Sequence, residues 1–168
     1  FGDSGVRTVD LGRADGQYDV CSSAGWIRIT HTNATDAGDE TVYNETLGAV
    51  VYRSDGVELA YQGGAVWRRS GGWGRAISPP EFHYRGKTLT LPIVRTGGTG
   101  AASGRVQATV TPIRTNVPVY PNASRTYDGT AKPFRNPVRN GSITATVRSD
   151  YYQGWARYFR SRTTAQVT

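Results

Sequence analysis

Residues 48–61 read Gly48-Ala49-Val50-Val51-Tyr52-Arg53-Ser54-Asp55-Gly56-Val57-Glu58-Leu59-Ala60-Tyr61. Gly48 to Arg53 is a strand by composition, because β-branched and aromatic residues fit a pleated surface. Ser54-Asp55-Gly56 is a turn signal, and Val57 to Tyr61 resumes as a second strand. Strand, tight polar turn, strand is the unit of an antiparallel β protein, and the rest of the chain repeats it.

Alternation of apolar and polar residues recurs on both sides. Leu89, Leu91 and Ile93 share a face within Thr88 to Arg95. Val106, Ala108 and Val110 do so within Arg105 to Arg114, and Ile143, Ala145 and Val147 within Ser142 to Arg148. Val6 to Leu11, Trp26 to Thr30 and Trp155 to Arg160 are further strand candidates, and Trp26 and Trp67 are read as core. Gly63-Gly64, Gly71-Gly72, Gly97 to Gly100, Asp128-Gly129 and Asn140-Gly141 mark turns. His31 to Glu40 and Pro118 to Pro137 read as long loops. No 12-residue segment carries the apolar period of a packed helix. Short strands at intervals of roughly 8–12 residues, joined by Gly-rich turns, describe an all-β antiparallel sandwich or barrel.

The 168 residues suit one domain, 1–168, whose last few residues (Thr163 to Thr168) read as either a last strand or the start of a linker. A chain of this length buries about 70% of its unfolded surface and needs no metal or disulfide to fold. Cys21 is the single cysteine and reads as a small core residue. No run of 18 apolar residues exists, so no membrane-spanning helix is expected. No signal peptide is visible, and a start at Phe1 fits either a mature chain whose signal was removed or a piece cut from a longer one.

Catalytic signatures are absent. His31 and His83 lack ligand spacing, and there is no H-E-x-x-H, C-x-x-C, P-loop, G-x-S-x-G or G-x-G-x-x-G. The expectation is a protein that is not an enzyme and holds no cofactor or metal. Four of the six asparagines sit in N-x-S/T: Asn33, Asn44, Asn122 and Asn140. They read either as glycosylation acceptors of a secreted eukaryotic protein or as meaningless in a Thr-rich bacterial surface protein, and the excess of Arg over Lys favours the second reading. The net charge is +7, and Lys87 and Lys132 are the only lysines. The arginines are dispersed and form no block of the kind found in nucleic-acid-binding arms.

Residues 89–106, Leu89-Thr90-Leu91-Pro92-Ile93-Val94-Arg95-Thr96-Gly97-Gly98-Thr99-Gly100-Ala101-Ala102-Ser103-Gly104-Arg105-Val106, resemble the receptor-binding domains of chaperone-usher fimbrial tip adhesins. Gly48 to Gly56 resembles the strand and turn that present a sugar-binding Asp in the N-acetylglucosamine-binding branch. Ser70-Gly71-Gly72-Trp73-Gly74 resembles the loop that lays an indole beside the sugar, and Tyr84-Arg85-Gly86 takes the place of a polar loop that touches the ligand. The cysteine that this branch carries beside the loop Trp is Gly74 here.

The resemblance implies an elongated immunoglobulin-like antiparallel β-sandwich and a non-enzymatic lectin. Its ligand-binding residues would be Asp55, Trp73, Arg75, Tyr84 and Arg85. It implies a bacterial cell-surface location at a fimbrial tip, a glycan receptor, and a pilin domain and periplasmic chaperone as partners of the full-length protein. Membrane insertion and nucleic-acid binding are not implied. The residues allow two other readings. Tyr151 to Arg162 interleaves aromatics with arginines, as a polyanion or single-strand platform does. A purely structural surface module would expose a sheet edge and bind no small ligand.

Overall fold

The computed structural model describes residues 6–33, 39–85, 88–111 and 141–162. The strands are β1 (Arg7–Cys21), β2 (Gly25–Asn33), β3 (Asp39–Thr46), β4 (Ala49–Ser54), β5 (Val57–Gln62), β6 (Ala65–Ser70), β7 (Trp73–Ser78), β8 (His83–Arg85), β9 (Thr88–Thr90), β10 (Gly100–Val110) and β11 (Gly141–Ser149). One helix, α1 (Tyr152–Arg162), follows. The class is all-β with antiparallel pairing, as the alternation predicts, and is consistent with a sandwich. Sheet orders are β10-β1-β4-β5-β6-β7, β11-β2-β3 and β8-β9.

The chain divides into two compact units. The first comprises Phe1–Trp26, Thr46–Pro112 and Val147–Thr168, and the second Ile27–Glu45 and Ile113–Thr146. In the second, β2 alternates buried Ile27, Ile29 and His31 with exposed Arg28 and half-buried Thr30.

The first unit is built on a meander from β4 to β7. Its turns, Asp55-Gly56, Gly63-Gly64 and Gly71-Gly72, all have positive φ at both positions. That is the type I′ geometry whose twist matches antiparallel strands, and Gly and Asp reach it at least cost. One face of the meander is core. Val51, Ala60 and Trp67 stand side by side across β4, β5 and β6, and all are buried. The small side chains leave room for Trp67, fully buried, and for Trp155 of α1, whose rings lie 4.6 Å apart. The Trp67 indole N–H donates to the Gln62 carbonyl at 3.0 Å, so the buried donor is satisfied. Gly154 lets α1 lie directly on this ring, since a Cβ there would come within 2.6 Å of Trp67 Cε3.

Several expectations change. Trp155 to Arg160 is helix and not strand: Tyr151, Trp155 and Tyr158 recur at helical spacing and are all buried. Trp67 is core as expected, whereas Trp26 is half-buried. The strand from Thr88 ends at Thr90, because Pro92 has no donor to offer a ladder and biases Leu91 before it. His31 to Asn33 continues β2, and β3 begins at Asp39 inside the expected loop. Pro118 to Pro137 and the Asp128-Gly129 and Asn140-Gly141 turns lie wholly or partly outside the described residues.

Candidate functional site

Side chains alternate across a strand, so the register of the meander divides its residues between two faces. Arg53, Glu58, Arg69 and Gly74 form one row on the α1 side. Tyr52, Leu59, Arg68 and Arg75 form a row on the opposite side, followed by Ser54, Val57, Ser70 and Trp73 nearer the hairpin tips.

On the α1 side the row is a closed polar network. Glu58 is buried and accepts from Arg53 Nε at 2.8 Å, a terminal Arg69 nitrogen at 3.1 Å and the Tyr151 hydroxyl at 2.8 Å. Arg53 also pairs with Asp19. Burial pushes the Glu58 carboxyl up, but the Tyr151 hydroxyl and the two arginines outweigh it and hold the group below its ordinary value. Burial, then the Glu58 charge, raises the Tyr151 phenol. Gln153 ties α1 to the β6–β7 hairpin: its Oε1 accepts from the Gly74 amide at 2.8 Å and its Nε2 donates to the Gly72 carbonyl at 3.0 Å. A cavity of about 180 Å³ lies beside this clamp, lined by Trp67, Arg68, Arg69, Gly72, Gly74 and Arg75 of the hairpin and by Asp150 to Gly154.

On the open side the chemistry is different. Trp73 follows the Gly71-Gly72 turn and remains 53% exposed. The indole nonetheless meets α1, for the Arg157 guanidinium of that helix sits 5.4 Å from its ring centroid, a cation–π contact at the β7 edge of the sheet. Arg75 is exposed two residues further along the same strand, about 7 Å away. Arg68 lies directly opposite Arg75 in the ladder. Ser70 is opposite Trp73. Asp55 occupies the neighbouring hairpin tip at the same end of the sheet, exposed and with φ 49°. Two interstrand spacings separate the two tips, about 10 Å. Asp55 accepts from the Ser54 hydroxyl at 3.2 Å.

The fold therefore collects three of the five expected site residues, Asp55, Trp73 and Arg75, at one end of one sheet. Tyr84 and Arg85 lie on β8, which belongs to the separate β8–β9 pair. Tyr84 is exposed, and the Arg85 side chain lies outside the described residues. Among the described residues, no hydrogen bond, ion pair or ring contact joins Tyr84 to the β6–β7 hairpin. Arg68, Ser70 and Gln153 join the site only through register and tertiary contact. Among the described residues no cluster of three metal-ligating side chains occurs, and no helix is long and apolar enough to cross a membrane. Tyr151, Trp155 and Tyr158 are buried, so the aromatic–arginine stretch does not offer them as a stacking platform.

A family model described as "Family of unknown function (DUF7289)" matches residues 22–168. No curated protein and no solved structure matches the chain.

Proposed function

Since the chain belongs to DUF7289, a family of unknown function, its own surface must carry the functional reading, and we propose that it is a non-enzymatic saccharide-binding module of a bacterial cell-surface adhesin. One observation carries this reading: an indole left more than half exposed at the head of a strand, with Ser70 opposite it, Arg75 two residues along and Asp55 at the neighbouring hairpin tip. An exposed Trp presents an apolar plane on which the C–H face of a sugar stacks. A carboxylate accepts hydrogen bonds from hydroxyls, and a guanidinium donates them. A shallow, flat site on a sheet built of tight turns offers these groups without first reorganising. The placement at a fimbrial tip, outside the cell and beside a pilin domain, rests on the resemblance of residues 48–115 to the tip-adhesin lectins.

The test is a broad glycan array probed with the purified chain, alone and as Trp73→Ala and Asp55→Ala. Discrete saccharide hits are expected, and Trp73→Ala should weaken them about tenfold or more while leaving the thermal midpoint within a few degrees. Asp55→Ala should weaken them as well. Its left-handed φ is a turn requirement in its own right, so Asp55→Asn, which tolerates that conformation, separates the two roles. Hits that ignore both positions would place the binding site elsewhere.

A further inference from the structure

Among the described residues of the first unit, Arg53 and Arg69 pair with Glu58, Arg105 with Asp10 and Gln62 with Ser149. The open face breaks this pattern. Arg68 and Arg75 occupy directly opposed positions on β6 and β7. Neither forms an ion pair, side-chain hydrogen bond or ring contact with any described residue. Directly opposed residues on adjacent strands hold their Cβ atoms about 5 Å apart, and like charges in that position repel. The carboxylates near them do not relieve this. Glu58 is on the other face and already bonded three ways. Asp150 lines a cavity with both arginines yet forms no ion pair with either, and Asp55 is about 14 Å from Arg68 by strand rise and spacing. Leu59, the other neighbour of Arg68, is apolar and half-buried, which dries one flank of the pair. Trp73 stands one alternate position away on the same face.

From this arrangement we infer that Arg68 and Arg75 form an anion clamp for a saccharide that carries an oxyanion, either a carboxylate or a sulfate. The inference rests on the saccharide-binding reading and names its substrate class. Two forks side by side match an oxyanion with two or more accepting oxygens, and the anion removes the repulsion between them. The sugar ring bearing that group would lie across Trp73, about 7 Å along the strand. A neutral sugar would use the indole and leave the arginine pair unsatisfied.

Calorimetry with three matched oligosaccharides tests this: a neutral chain, the same chain with hexuronate units, and the same chain sulfated. The parent protein should bind at least one acidic form about tenfold or more tighter than the neutral one. Arg68→Gln and Arg75→Gln should each bring acidic and neutral forms to within about twofold, at an unchanged or higher thermal midpoint. Arg75→Lys, which keeps the charge but loses the fork, should forfeit most of the preference. Arg160→Gln, on the last turn of α1, should keep it in full. If the neutral chain binds and the acidic forms bind no better, the clamp is wrong while the saccharide site stands. If no saccharide of any kind binds, here or on the array, the reading beneath it falls as well. An equal loss in Arg160→Gln, or displacement by single-stranded DNA at matching concentration, would assign the preference to diffuse charge and overturn the clamp.

Discussion

Glu58 and Gly154 show how single residues fix the helix on the sheet. The Glu58 carboxylate is held low by Tyr151, Arg53 and Arg69 against the opposing effect of burial. A carboxyl whose folded value is depressed contributes stability above its unfolded value and loses it as pH falls through the folded one. Acid unfolding monitored by tryptophan fluorescence should therefore show an arm below the ordinary glutamate range of about 4.3. Glu58→Gln should flatten that arm and lower stability at neutral pH by about 1–3 kcal/mol, since two guanidinium groups lose their counter-charge and one of the two acceptor oxygens becomes a donor. An unchanged acid arm would mean that other carboxylates carry it. Gly154→Ala sets two effects against each other. Helix propensity improves by roughly 0.8–1.0 kcal/mol. The new Cβ must meanwhile displace a fully buried indole from 2.6 Å, and overpacking of that kind costs about 1–3 kcal/mol. The ring is held against Trp155 at 4.6 Å, so a net loss of about 1 kcal/mol is expected as a lower urea midpoint at constant slope. A gain would show that α1 can lift off Trp67.

At the scale of elements, the β6–β7 hairpin and the start of α1 act together. Gln153 supplies both an acceptor to the Gly74 amide and a donor to the Gly72 carbonyl. Gln153→Ala should cost about 1–2 kcal/mol for the two bonds, and amide exchange at Gly74 should accelerate far more than at Ala60 in the sheet interior. Equal acceleration at both would indicate global loosening instead of release of the hairpin. The hairpins themselves were legible because their turn residues are chemically demanding: Asp55-Gly56 and Gly71-Gly72 have few other conformations to offer. Trp73 was legible as a surface residue for the same reason, being flanked by turn glycines. The helix was not. Tyr151, Trp155 and Tyr158 have helical spacing, yet their aromatic identity and Gly154 argue locally for strand and turn, and tertiary packing on Trp67 decides otherwise. Gln153 gave no signal at all, since its partners are 79 and 81 residues away. The position of Arg68 opposite Arg75 follows only from the register. The stop at Thr90 was readable from Leu91-Pro92 and was outweighed by the alternation of Leu89, Leu91 and Ile93.

For the whole molecule the question is whether its excess of seven positive charges acts at one place or everywhere. A diffuse field attracts any polyanion, and affinity then falls steeply with salt because many counterions return together. A clamp of two arginines beside a stacking indole engages few charges, and the apolar part of the contact does not respond to salt. Affinity for an acidic oligosaccharide, measured from about 50 to 500 mM NaCl, should give a log–log slope of magnitude near 1–2. Heparin-like polymers bound through the general field would give about 5 or more by the counterion argument. Trp73→Ala should lower the affinity at every salt concentration without changing the slope, whereas Arg75→Gln should lower both. The charge distribution favours this outcome: Arg53, Arg69 and Arg105 are engaged by carboxylates, whereas Arg68 and Arg75 form no ion pair with any described residue. A steep slope that neither substitution alters would move the function from the hairpin face to the net charge of the chain.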